Sequence, residues 1–89
     1  MDTGTTTLAF VQDTFVKESV GEFEKNQFHR PPAGFEIAFV SDDIAASFNH
    51  AVAVGAHPVQ KPIQKPWGQW VAYLLDCNNV IVEICSALQ

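Results

Sequence analysis

Basic residues are scarce in this chain. Five Lys and Arg stand against ten Asp and Glu, a formal net charge of −5 over 89 residues. A protein that grips nucleic acid needs a positive footprint to neutralise phosphates, and this chain has none. It equally lacks a basic anchor for anionic lipid. No apolar run approaches the roughly 20 residues that a membrane-spanning helix requires. The first residues, Met1-Asp2-Thr3-Gly4, show neither the basic segment nor the apolar segment of a secretory signal. Cysteine is limited to Cys77 and Cys85. A turn residue and a strand residue eight positions apart suggest no disulfide geometry, so free thiols in a reducing cytoplasm are expected. There is no Ser-His-Asp order, no nucleotide-binding glycine loop and no cysteine pair at metal spacing. His29, His50 and His57 fall at no ligand spacing and read as surface histidines.

What is present is apolar. Hydrophobic residues make up 47% of the chain and charged residues only 17%. A chain of this length forms one small domain whose burial is marginal, and oligomerisation is a common source of further core. Some of the apolar surface is therefore expected to meet a partner.

The pattern between Gly34 and Ser86 carries the most information. Phe35–Val40 alternates as a strand, with Phe35, Ile37 and Phe39 on one side and Glu36, Ala38 and Val40 on the other. Ser41 or Asp42 then caps a helix over Asp42–Val54. Its apolar stripe is Ile44, Ala45, Phe48, Ala51 and Val52, and Gly55 ends it. His57–Lys61 reads as a short strand whose end is fixed by Pro62 and Pro66. Gln69–Leu75 is a strand, Asp76–Asn79 a turn in which Asn79 tolerates positive φ, and Val80–Cys85 the last strand. Together these make one βαβββ unit. Upstream, Thr5–Gln12 is β-branched and apolar and reads as a strand. Asp13–Gln27, with Phe15, Val16, Val20 and Phe23 at helix-like offsets but Gly21 interrupting, reads as an irregular arm with room for one helical turn. His29–Gly34, with two consecutive prolines, reads as a linker. The expected fold class is α+β: residues 1–33 form an extra strand, arm and linker, and residues 34–89 form the βαβββ module.

This order resembles the vicinal oxygen chelate superfamily, which includes glyoxalase I, bleomycin-resistance proteins and extradiol dioxygenases. The residues that carry the resemblance are the aromatic-rich strand GFEIAFV and the Asp-led helix ending in Ala-x-x-x-Gly-Ala. The Pro66-Trp67-Gly68-Gln69 lead into the third strand, the Asp76-x-x-Asn79 turn and the Val82-Glu83-Ile84 ending complete it. Family members have two such modules, so the resemblance implies a truncated first module, with Thr3–Val11 similar to its final strand. The sequence departs from the family at Cys77 and Asn79, where Pro and Gly are usual. It also departs at Glu36, where metal-binding members often carry His.

The resemblance implies site residues. Glu83 matches the glutamate that ligates metal on the last strand of metal-binding relatives. A carboxylate in the run Val80–Cys85 is costly to bury without a partner, and alternation puts it with Ile81 and Cys85, opposite Val80, Val82 and Ile84. Glu36 is expected on the same face of the neighbouring first strand. Two such carboxylates raise one pKa unless a cation or donor lies between them, and an oxygen-only pair suits a hard divalent cation. Gln69 and Tyr73 share a face with Val71, and the resemblance makes that face the lining of a cup. Trp67 either joins the cup or, like Trp70, covers a core edge or subunit interface. Ala9 occupies the ligand position on the earlier strand, so a complete metal site within one chain is not expected.

The sequence thus points to a cytoplasmic small-molecule-binding protein of the glyoxalase and bleomycin-resistance type. Its ligand-binding residues are Gln69, Tyr73, Glu83, Glu36 and Trp67, in a cup built between subunits of a homodimer or higher even-numbered oligomer. No resident cofactor is expected. The alternative is a metal-dependent lyase or isomerase of the glyoxalase type, with a divalent metal on Glu83 and Glu36 and a site shared by two chains. A third reading is a folded oligomer that keeps no ligand. Glu36, Gln69, Tyr73 and Glu83 are expected to face one cavity, with Phe35, Ile37, Phe39, Val82 and Ile84 packed on the helix. Phe10, Phe15 and Phe23 are expected against a partner.

Overall fold

A computed structural model describes residues 8–88 of the chain. Its elements are α1 (Asp13–Val20), β1 (Glu36–Val40), α2 (Ile44–Ala53), β2 (His57–Gln64), β3 (Trp70–Leu75) and β4 (Ile81–Cys85). The strands form one mixed sheet in the order β1-β4-β3-β2. β1 runs parallel to β4, and the other two pairs are antiparallel. The α+β class and the βαβββ order are as the alternating runs indicate.

Local chemistry fixes α2 at both ends. Asp43 is its N-cap, its carboxylate accepting from the Ala46 N–H at 3.0 Å. The cap is thus Asp43, one residue beyond the two expected. Ser41 instead accepts from the Asp43 N–H at 3.1 Å and shares a 2.6 Å hydroxyl bond with Ser47. At the far end Ala56 N–H donates to the Ala51 carbonyl and Gly55 N–H to the Val52 carbonyl. This is the Schellman pattern, and it needs the left-handed backbone that Gly55 supplies at φ 116°.

The core lies between α2 and the sheet: Phe48, Ala72, Leu74 and Ile84 are buried, with Ile44, Ala51, Val52, Ala56 and Val82 packed around them. Val82 and Ile84 therefore face the helix as expected. Phe35, Ile37 and Phe39 depart from expectation. Register puts Ile37 beside Val82 and Phe39 beside Ile84, but α2 lies over β2, β3 and β4 and does not reach β1. Phe39 is left 37% exposed, and Phe35, just before the strand, 55% exposed.

Three further expectations need correcting. Pro62 does not stop β2, which runs on to Gln64, two residues short of Pro66. β2 is an edge strand with register shifts between Pro58 and Gln60 and between Gln60 and Ile63, so neither Pro58 nor Pro62 breaks the ladder. The arm holds two full turns of helix rather than one, because Gly21 at φ 95° ends α1 cleanly with its N–H on the Lys17 carbonyl. The predicted N-terminal strand is not formed over residues 8–12, where the Gln12 carbonyl instead accepts from Phe15 and Val16 to open α1; Thr5–Thr7 lie outside the described residues. Both cysteines are free, Cys77 exposed and Cys85 buried.

Candidate ligand site on the helix-free sheet face

Antiparallel pairing places Tyr73 of β3 directly opposite Glu83 of β4. Their side chains project from the face away from α2, where cross-strand neighbours are close enough to bond. The Tyr73 hydroxyl donates to Glu83 Oε1 at 2.6 Å. Such a short bond to an ionised acceptor is a strong one. It holds the phenol proton, and the Tyr73 pKa is pushed up to about 12. The Glu83 hydrogen bond is the main cause, followed by burial and the negative charges of Glu83 and Glu36. Glu36 enters this field from β1, where it pairs with Ile81 while Ala38 pairs with Glu83. The three residues therefore share one face, as alternation implies.

The face is graded in exposure. Val71 and Cys85, paired at one end, are buried; Tyr73, Leu75, Ile81 and Glu83 are half-buried. The Cys85 thiol is held protonated by that burial and by the nearby Glu83 charge, and it donates weakly to the Phe39 carbonyl at 3.6 Å. It is no nucleophile in this state. The Tyr73–Glu83 pair, by contrast, offers a carboxylate with acceptor capacity left after the phenol bond. Beside it lies an aromatic ring. A ligand with N–H or O–H donors and a flat apolar body matches both.

Gln69 and Trp67 are brought together, but not to that pair. Trp67 Nε1 donates to Gln69 Oε1 at 2.9 Å, and Gln69 Nε2 donates to the Ser86 carbonyl at 2.7 Å. They border a separate cleft at the end of the sheet with Trp70 and Ser86. The five candidate residues thus divide into Glu36, Tyr73 and Glu83 on the face and Trp67 and Gln69 at its end. Two residues have structural roles here that the sequence did not signal. Ser86 anchors both Gln69 and the Trp70 backbone. Asn79, expected only as a turn former, is 3% exposed and donates to the carbonyls of Gln27 and Arg30, both at 2.8 Å. It staples the linker to the β3–β4 turn.

Among the described residues no group of three or more His, Cys, Asp or Glu could hold an ion. Glu83 is engaged by Tyr73, and the histidines are elsewhere: His50 on α2, His57 at the start of β2 with its ring edge-on to Phe28, and His29 in the linker.

The Glyoxalase-like domain model matches residues 2–89, spanning both the arm and the module. The chain belongs to the glyoxalase-like domain family. This places it in the vicinal oxygen chelate superfamily. A glyoxalase-related enzyme from Fulvimarina pelagi superposes on this glyoxalase-like chain with a TM-score of 0.70 at 21% identity, over 83% of this chain and 52% of that one. A member of the glyoxalase/bleomycin resistance protein/dioxygenase superfamily from Sphaerobacter thermophilus DSM 20745 superposes with a TM-score of 0.55 at 19% identity, over 63% of this chain and 46% of that one. At such identities the likeness is one of fold. The glyoxalase-like chain spans about half the length of these structures. None of the curated proteins compared with it matches. No helix among the described residues is long and apolar enough to cross a membrane.

Proposed function

We propose that this glyoxalase-like chain binds a small molecule against the helix-free face of its sheet, without catalysis, in a cup completed by a second copy. The observation that carries the reading is the Tyr73–Glu83 pair, a preorganised phenol and carboxylate set in the half-exposed part of that face. The surface supports the second copy. Helix α1 buries none of its residues, and eight residues do not sustain a helix alone in water. Phe10 and Phe15 are exposed and Phe23 half-buried, which makes them the contacts a partner would cover.

Two measurements test this. Sedimentation at micromolar concentration should give twice the chain mass; a concentration-independent monomer overturns the shared cup. NMR screening with planar, donor-bearing small molecules should move the Tyr73 signals, and Tyr73→Ala should abolish the response. Near-stoichiometric metal after purification without chelator, with hemithioacetal isomerisation lost in Glu83→Gln, would replace the binding reading with the lyase one.

A further inference from the structure

The cleft beyond the sheet end is a second, differently built site. Its volume is about 430 Å³, and Gln64, Trp67, Gln69, Trp70, Ser86 and Leu88 are among its walls. The Tyr73–Glu83 pair is not among its lining residues. We propose that this cleft binds a neutral saccharide unit stacked on the Trp67 indole.

The argument starts from rigidity. The hairpin joining β2 to β3 is closed by Lys65 N–H on the Gln69 carbonyl and Gly68 N–H on the Lys65 carbonyl, both at 2.8 Å. Gly68 takes φ 94°, a conformation that side-chain-bearing residues avoid. Trp67 therefore sits at the tip of a tight, fixed turn. The residue is 65% exposed, and the only polar atom of its ring already donates to Gln69, which the Ser86 carbonyl holds in turn. An indole so anchored has no hydrogen bond left to give; what it presents is its π face. Trp70, 45% exposed, adds a second aromatic wall and is anchored through its backbone to both the hydroxyl and the main chain of Ser86.

The remaining lining selects the ligand. None of its side chains is charged. A charged ligand would leave water with no compensating partner, so a neutral one is favoured. Gln64 and Gln69 each carry a second amide hydrogen beyond the bonds they make to the Gly68 and Ser86 carbonyls, and the Ser86 hydroxyl hydrogen is likewise uncommitted by its acceptance from Trp70. Exposed aromatic faces ringed by amide and hydroxyl groups match a molecule with a C–H face and a hydroxyl rim. A pyranose ring has both. A flat heteroaromatic ring would satisfy the indole but not the polar rim.

The test is a titration of the full chain with maltotriose and with cellotriose, followed through the backbone amide and indole N–H signals. Saturable shifts confined to Trp67, Gly68, Gln69, Trp70 and Ser86 are expected, with millimolar affinity for at least one trisaccharide. Trp67→Ala should weaken binding at least tenfold, Trp67→Phe should restore part of it, and Gln64→Ala should weaken it about threefold. The wild-type spectrum elsewhere should persist in each variant, since these side chains lie outside the core. No saturable shift with either sugar overturns the proposal. So does unchanged binding in Trp67→Ala, or saturable binding of the planar probe caffeine in place of both sugars. Sugar shifts centred on Tyr73 would assign the saccharide to the other site and overturn this one.

Discussion

The two faces of the sheet are cut from the same strands but are held by different forces. Toward α2, β3 and β4 present Ala72, Leu74, Val82 and Ile84, and packing under Phe48 is the whole of the interaction. Away from α2, the same strands present Tyr73 opposite Glu83, and a hydrogen bond to a charged group joins them. The first face is closed and non-directional; it tolerates any apolar set of the right volume. The second is directional and half-exposed, and it keeps polar capacity that the fold itself does not consume. A single period-2 alternation therefore divides a packed face from a polar, half-exposed one.

The largest effect should come from the closed face. Leu74 is 3% exposed at the centre of the cluster under α2. Leu74→Ala deletes buried methyl groups and leaves a cavity, so it should cost ~2–5 kcal/mol. A midpoint shift in urea denaturation measures it. In a domain this small such a loss approaches the whole stability. A loss below about 1 kcal/mol would show that the layer under α2 is loose and that the faces differ less than their burial suggests.

A smaller effect is expected on the other face. Tyr73→Phe keeps the ring and removes one donor. Glu83 then loses its partner in a half-exposed setting where water replaces part of the bond. The cost should be on the order of 1–2 kcal/mol, at the lower end for hydrogen bonds to charged groups. Ligand response should fall much further than stability does. If Tyr73→Phe destabilised as much as Leu74→Ala, the pair would be a structural brace rather than a site.

This division was legible in the sequence because it is local. Alternation over Gln69–Leu75 and Val80–Cys85 fixes which residues share a face, and Glu83 in an apolar run marks the polar side. The caps were nearly legible too, displaced only from Asp42 to Asp43. What escaped depends on distance or on an edge. Asn79 carries a turn signal, but its clamp on Gln27 and Arg30 joins residues about fifty positions apart. Proline normally ends a strand, and only the edge position of β2 lets the chain continue through Pro62. Alternation placed Ile37 and Phe39 on the helix side correctly, yet it says nothing of how far a ten-residue helix extends across the sheet. Likewise Trp67 and Gln69 were legible as candidates. Their separation from Tyr73 was not, because the bond that turns Gln69 toward Ser86 lies outside any periodic pattern.

The finest distinction between the faces is a titration. Tyr73 is the only tyrosine in the chain, so the ionised-phenol absorbance reports on it alone. Its pKa should lie at about 12, raised from the model-compound value of 10.0 by the Glu83 bond first and by burial second. In the unfolded chain the phenol releases its proton near the ordinary value. Between those two pH values the native state holds a proton that the unfolded state has lost, so stability must fall as pH rises. The contribution is complete below pH 10 and gone once the pH passes the folded value. Glu83→Gln keeps an oxygen acceptor but removes the charge, so the midpoint should move back toward 10.0 without reaching it. Leu74→Ala, read while the variant is still folded, should leave the midpoint in place, because the closed face has no part in holding that proton. A wild-type midpoint at 10.0 would mean that the Tyr73–Glu83 bond does not persist in solution. The helix-free face would then lose the one preorganised contact that distinguishes it from an ordinary sheet surface.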